Sequence, residues 1–390
     1  MAEQRKIVTA VPENSETPLE DVRGWVTPNR LFFVRNHFEV PQLSLDDWRL
    51  QVEGCVDRPV TWTYEELNAL PERSVFATME CAGNGRSFLQ SQVHGVQWGA
   101  GAIGHAEWTG VPLRLILQQA GLKPEAREVV FVGYDQGTEP DHPEVMSFAR
   151  SLPLAKALDP DTLLAFRMNG ELLEPIHGFP VRLLVPGWYG VASVKWLRRI
   201  EVIDHAFHGY FQTNKYTIQR QGSKGLETQV VGPMALKSEI IRPRSDEILG
   251  LGTNRLFGVA WGGDGAIAAV EISTDAGRTW NRAELLGPQA RHSWTLWEYL
   301  WEVAEPGDHV LLARAVSRAG QVQPTQHDPL NGGYQVHFSR PRTVRVERTR
   351  RIHDQRSDAD LLVYDMNAFA EENMRFRLDI EMDFTSGEGI

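Results

Sequence analysis

From about residue 235 the chain becomes a regular alternation of short apolar runs and turn residues, a rhythm that restricts the fold more than any other feature of the sequence. Strand-like runs recur at residues 255–261, 266–273, 279–285, 292–303, 310–316 and 343–347. The turn Asp275-Ala276-Gly277 and the loop Glu305-Pro306-Gly307-Asp308 punctuate them. Short strands with turn signals at this spacing predict an all-β sandwich. Before residue 225 the pattern is mixed. A strand is expected at residues 49–52, and Thr63-Tyr64-Glu65-Glu66 is a capping-box start for a helix ending near Pro71. Pro112 opens a second helix through Leu113, Leu115, Ile116 and Leu117, and Gly121 closes it. Strands at residues 128–132 and 181–185 make this first region α+β. Residues 1–45, rich in Pro and polar side chains, read as an extended segment. The expected division is a first domain over residues 1–230, a sandwich over 231–347 and a charged extension over 348–390. In that extension, residues 364–376 pattern as an amphipathic helix docked on its own chain or on a partner.

With 390 residues, 42% of them hydrophobic, the chain can bury a sizeable core in two or three domains. The net charge of −11 argues against a general nucleic-acid binder, so an anionic ligand needs a local basic pocket. No run approaches the roughly 18 apolar residues that cross a bilayer, and no membrane association is expected. Met1-Ala2-Glu3-Gln4-Arg5-Lys6 lacks the apolar segment of a secretory signal. A cytoplasmic location is expected, or a periplasmic one if a leader has been removed. Cys55 and Cys81 are too few for a disulfide framework, and a free-thiol count decides whether they bridge.

Cys81 stands in Cys81-Ala82-Gly83-Asn84-Gly85-Arg86, where glycines let backbone approach closely and the arginine favours a thiolate. The bland alternative is a small buried cysteine in a turn. Further on, His177, Arg182 and Lys195 bracket a glycine-rich turn at Pro186-Gly187, offering backbone N–H groups and cationic donors to a phosphate or polar heterocycle. Two other motifs lead nowhere. Gly99-Ala100-Gly101-Ala102-Ile103-Gly104 matches G-x-G-x-x-G, but no apolar strand precedes it and Pro124 occupies the place of the expected acidic residue, so no NAD site is expected. His205 and His208 lack a third ligand at metal spacing and read as surface loop.

Together these segments resemble the sulfite oxidase family of molybdenum (molybdopterin) enzymes, in a haem-free bacterial-type form. The resemblance covers about residues 20 to 345. It rests on Phe33-Val34-Arg35-Asn36-His37, the Cys81 loop with Arg86, Trp98 with Gly101 to Gly104, the His177 to Arg182 run, and Pro186-Gly187 through Lys195-Trp196-Leu197. In the second region, Val270 to Trp280 is similar to the opening of the family's immunoglobulin-like dimerisation domain, which implies a homodimer.

The resemblance implies molybdenum held by a pterin dithiolene, with Cys81 as the protein's metal ligand; a thiolate suits such a soft site. It implies that Phe33, Arg35, His37, Asp135, His177, Arg182 and Lys195 hold the cofactor. It further implies that Arg35, Arg86, Trp98 and Tyr216 form the catalytic pocket, in which guanidinium groups bind an oxyanion. A third arginine, supplied by the second domain in many sulfite-oxidising members, has no equivalent in Asp328-Pro329-Leu330-Asn331-Gly332-Gly333-Tyr334. No haem motif or flavin domain is seen, so electrons are expected to pass to a separate acceptor such as a cytochrome. The implied reaction is oxidation of sulfite to sulfate. The alternatives are oxygen-atom transfer on another sulfur compound, a sulfoxide or nitrate, or a non-catalytic scaffold.

Overall fold

A computed structural model of the chain describes residues 4–348 apart from 23, 246 and 264–266. The expected extension 348–390, with its helix at 364–376, lies outside the described residues beyond Arg348. The fold is largely β. One five-stranded sheet carries Glu171–Leu172, Leu163–Met168, Ile103–Pro112 and Arg73–Glu80 in that order, with Arg182–Leu184 also paired to Leu163–Met168. A second has the order Val60–Thr63, Arg49–Gly54, Leu197–Ile203, Glu128–Glu139 and His142–Pro153. Cys81 follows the last residue of Arg73–Glu80, and Arg86–Phe88 then makes a short 3-10 turn.

Local signals account for the helices. Tyr64–Asn68 starts on a complete capping box, with the Thr63 side chain accepting from the Glu66 N–H and the Glu66 carboxylate accepting from the Thr63 N–H. Leu113–Ala120 follows Pro112, ends at Gly121 with φ 74°, and buries Leu113, Ile116, Leu117 and Ala120 on one face.

The expected sandwich is present. A four-stranded sheet (Lys237–Arg242, Gly252–Trp261, Thr295–Val303, Glu284–Leu286) faces a five-stranded one (Ile248–Gly250, Arg342–Glu347, Gly307–Ser317, Ile267–Ser273, Asn281–Arg282). Its core joins Leu256 and Trp297 of one sheet to Val270, Leu311 and Val344 of the other. The strand Gly252–Trp261 is buried on both faces. Because side chains alternate along a strand, Leu256 and Ala260 fill the sandwich while Phe257, Val259 and Trp261 enter the large core of the first region. A buried side chain the size of Val, Leu or Phe contributes about 1.5–3 kcal/mol, so this strand fastens the sandwich to the first region.

Several expectations change. The single run at 279–285 divides into Asn281–Arg282 and Glu284–Leu286, which belong to different sheets, because buried Ala283 turns inward and donates its N–H to the Val270 carbonyl at 2.9 Å. The extended N-terminal segment forms a hairpin, Lys6–Thr9 with Asn14–Glu16. The strand at 128–132 continues to Glu139 and pairs with His142–Pro153 through irregular register. Gly101 and Gly104 serve close packing: a Cβ would lie 2.1 Å from the Thr17 carbonyl oxygen at the first and 2.6 Å from the Phe32 ring at the second. They lead into the strand Ile103–Pro112 and open no helix.

Buried His105 lies between Trp25 and Trp294, and its Nδ1 donates to the Trp25 carbonyl at 2.8 Å. Burial holds its pKa down at about 3. The folded form therefore stays neutral while the unfolded chain takes up a proton below about pH 6.5, and stability is lost as pH falls from there towards 3. Between pH 7 and pH 5 this contributes a loss of about 2 kcal/mol. His105→Gln is expected to remove that part of the acid slope in urea midpoints; identical slopes in both proteins would contradict the assignment.

Candidate active site

The first sheet, the Phe32–His37 segment and the turn after Arg182–Leu184 enclose a cleft with an empty volume of about 670 Å³. Phe33, Arg35, His37, Cys81, Asp135, His177, Arg182, Lys195 and Tyr216, far apart in the sequence, all line it. Asn36 and Phe148 line it as well.

Cys81 is fixed through its backbone. Its N–H donates to the Ala102 carbonyl and its carbonyl accepts from the Asn84 N–H, both at 2.9 Å. The thiol is buried and free. Burial pushes its pKa up, against the pull of Arg35, the Gly83 N–H and Arg86, so the neighbouring arginines alone do not produce the expected thiolate. A metal ion would, since a coordinating thiol is deprotonated outright.

Behind Cys81, Glu80 points towards the sandwich. Its carboxylate accepts from Trp261 Nε1 at 2.8 Å and Asn84 Nδ2 at 3.0 Å, and pairs with Lys237 at 3.4 Å. Asn84 Oδ1 in turn accepts from the Ala102 N–H at 3.0 Å. The Cys81 loop is thus tied to the second region through one buried carboxylate.

On one side of the cleft, Arg35 Nη2 lies 3.0 Å from His37 Nε2, which lies 2.7 Å from the Tyr216 hydroxyl. His37 Nδ1 is 3.1 Å from Glu139, a residue of the lengthened strand that sequence reasoning missed. Burial, then Arg35 and Lys195, holds His37 well below the usual histidine range. Burial raises Tyr216 to about 12. Deeper, the Lys195 ammonium donates to Asn36 Oδ1 and, at 3.0 Å, to the Ile176 carbonyl. Arg182 donates to the carbonyls of His177 and Ser193 at 2.8 and 3.2 Å. Burial brings Arg182 to about 9 and His177 to about 3. Asp135 is raised to about 7, again by burial, with Lys195 opposing.

Two expected pocket residues do not line the cleft. Trp98 is fully buried in the apolar cluster with Phe32, Ala102 and Trp108, so the expectation of a pocket wall is corrected: the rings of Phe32 and Phe33 hold the cleft side of that cluster. Arg86 is turned away onto backbone, donating to the Val96 and Gly333 carbonyls at 2.8 and 3.1 Å, with Tyr334 5.3 Å from its guanidinium carbon. It acts on the cleft through its charge, which favours the anionic forms of Cys81 and Tyr216. The sandwich meets the site through residues 333–335. Gln335 N–H donates to the Ala82 carbonyl at 2.9 Å, and the Tyr334 ring lies 5.0 Å from that of Tyr216. Nothing in the sequence signalled Tyr334.

Asp135 Oδ1, Asn36 Nδ2 and Arg182 Nε are buried without a hydrogen-bond partner among the described residues. Such orphans are costly unless a ligand meets them. A soft thiol beside unmet donors and acceptors and a cluster of cations fits a pterin-held metal that carries a phosphate.

Geometry and chemistry together define a site for a soft metal centre and an anion. A family model described as the oxidoreductase molybdopterin binding domain matches residues 37–211, and one described as the Mo-co oxidoreductase dimerisation domain matches residues 228–331. Sulfite oxidase of Gallus gallus is 34% identical over 343 residues, covering 82% of this chain and 72% of that one. Mitochondrial sulfite oxidase of Drosophila melanogaster is 38% identical over 81% of this chain. This chain spans 58% of the fly protein and 61% of its mouse counterpart. An NADH nitrate reductase of Ulva prolifera is 34% identical over 74% of this chain. The crystal structure of the sulfane dehydrogenase SoxCD from Paracoccus pantotrophus superposes with a TM-score of 0.77 at 32% identity, covering 89% of this chain and 91% of that one. The chain belongs to the sulfite oxidase family of molybdopterin oxidoreductases.

Proposed function

We propose that the protein oxidises sulfite to sulfate by oxygen-atom transfer and passes two electrons to a separate acceptor, working as a homodimer. The observation that carries this reading is the convergence of Cys81, Arg35 and Tyr216 on one cleft that also holds Asp135, His177, Arg182 and Lys195. The molybdenum–pterin group, when bound, supplies the two-electron and oxygen-transfer chemistry. Cys81 would hold the metal through its sulfur, while Asp135, Asn36, His177, Arg182 and Lys195 would hold the pterin and its phosphate.

The protein's work is then positioning and electrostatics. Arg35 and Tyr216 line the cleft and orient the anion, with Arg86 adding charge from outside the lining. Conversion of sulfite and water to sulfate releases two protons with the two electrons. The Tyr216 hydroxyl, His37 and Glu139 form a continuous hydrogen-bonded relay along which they can pass one at a time, and Glu139 reaches solvent.

A second reading, oxidation of a sulfane sulfur compound, is favoured by the similarity to SoxCD and by the absence of an arginine in residues 328–334. Steady-state turnover of sulfite with ferricyanide, compared with a sulfane substrate and with nitrate or sulfoxide under reduced dye, separates these reactions. Absence of molybdenum from protein produced with ample molybdate would overturn both in favour of a scaffold. Arg86→Met is expected to lower kcat/KM for sulfite roughly tenfold, the effect of removing a unit charge near a bound anion in a partly buried site, since its N–H groups are held by the Val96 and Gly333 carbonyls. An unchanged value would contradict the role.

A further inference from the structure

Arg150 is 1% exposed and belongs to the strand His142–Pro153. It lies two residues beyond Phe148, so the two side chains share a face, and Phe148 lines the cleft. Among the described residues no carboxylate pairs with it; the ionisable groups nearest in effect are Tyr216 and Tyr334, both neutral phenols at working pH. Its Nη2 donates to the Val231 carbonyl at 2.8 Å, its Nη1 to the Phe211 carbonyl, and its Nε has no partner among the described residues. An unpaired guanidinium in the interior carries a large desolvation cost. Arg182 is buried in the same way, but it lines the cleft and the proposed cofactor phosphate accounts for its charge. Nothing so far accounts for Arg150.

Its surroundings point to Tyr216. The guanidinium carbon is 5.9 Å from the centre of the Tyr216 ring. Val231, which accepts from Arg150, donates its own N–H to the Tyr216 carbonyl at 2.8 Å. Phe211, the other acceptor, precedes Tyr216 by five residues and packs against His37, whose Nε2 meets the Tyr216 hydroxyl. Tyr216 has φ 52°, a left-handed conformation that a bulky residue adopts only when its surroundings hold it there. Arg150 fastens the chain on both sides of this residue and sets a positive charge beside its ring.

We propose that Arg150 is a positioning residue that acts through Tyr216 to strengthen binding of the oxyanion in the cleft, contributing from the first region a cation that residues 328–334 do not provide. The inference rests on the proposed anionic substrate. Arg150 does not itself line the cleft, and a unit charge roughly 10 Å from a bound anion, at an effective dielectric constant of about 20, changes affinity by roughly tenfold.

The test uses the loaded full-length enzyme with Arg150→Met, which keeps bulk and removes charge, and Arg150→Lys, which keeps charge. Binding of sulfate is read by calorimetry, and sulfite turnover is resolved into KM and kcat. The expected result is a roughly tenfold rise in the sulfate Kd and sulfite KM for the Met variant, a smaller change in kcat, and recovery of anion affinity in the Lys variant. Sulfate and sulfite constants equal to wild type in the Met variant would overturn the proposal. Equal weakening in the Met and Lys variants would also overturn it, because packing and not charge would then be the cause. If the Met variant fails to fold, Arg150→Gln carries the same comparison. Should wild type fail to turn over sulfite, the proposed reaction falls, while the calorimetric comparison still decides the role of Arg150.

Discussion

Cys81→Ser is expected to yield a folded protein whose sulfite turnover is lower by roughly two to three orders of magnitude, the scale of removing one preorganised group at a site of changing charge. Folding should survive because the backbone bonds of Cys81 to Ala102 and Asn84 do not involve the sulfur, and serine is slightly smaller. What changes is the donor atom. A hydroxyl is a harder ligand than a thiol and far less willing to ionise in a buried site, where even the thiol is pushed upward by desolvation. Asp135, Asn36, His177, Arg182 and Lys195 remain in place, so cofactor retention should fall much less than turnover. Metal content, the visible spectrum and kcat measured on the same preparation separate these effects. Full activity in a serine variant that still contains metal would remove the sulfur from the mechanism.

Glu80→Ala should have the largest effect on stability, a loss of about 3–5 kcal/mol, because it breaks a buried ion pair from one side. Glu80, Lys237 and Glu239 are each at most 5% exposed. Removing the carboxylate leaves Trp261 Nε1 and Asn84 Nδ2 without their acceptor. Among the described residues, Glu239 at 3.7 Å is then the one carboxylate left to Lys237. Glu80→Gln should recover part of the loss, since its one amide oxygen can still accept from the indole or from Asn84, which bond different oxygens of the carboxylate. Because Asn84 also holds the Cys81 loop, molybdenum content should fall in the alanine variant in step with stability. Chemical denaturation monitored by tryptophan fluorescence reads the first effect, and elemental analysis the second. A loss below about 1 kcal/mol would show that the pair contributes no more than an exposed one.

The parts legible in the sequence were those governed by local chemistry. Thr63 and Glu66 announced a helix start because a capping box needs only neighbours, and Pro112 with Gly121 bounded the second helix for the same reason. The sandwich was visible because its turns interrupt strands at short, even intervals. The strands Arg73–Glu80 and Ile103–Pro112 were not anticipated. Their text mixes Arg, Ser, Glu and His with apolar residues and shows no clean alternation, since they pack in a central sheet where even His105 and Glu80 are buried with partners.

The candidate site divides in the same way. Cys81, Arg35, His177, Arg182 and Lys195 stood in short segments whose residue types suit a thiolate and an oxyanion. Arg86 and Trp98 stood in equally suggestive segments, yet the fold turns Arg86 onto backbone carbonyls and buries Trp98 completely. Glu139, Arg150 and Tyr334 carried no motif at all.

By itself, then, the sequence determined which local elements form, which side chains can bond a soft metal or an anion, and the family to which they point, because these depend on residue type and near neighbours. Only the tertiary structure decided which of those groups share one cleft, how far burial moves each proton affinity, and that an arginine on a distant strand lies against Tyr216. Proximity and desolvation arise when segments more than a hundred residues apart pack together, and neither is written in the spacing along the chain.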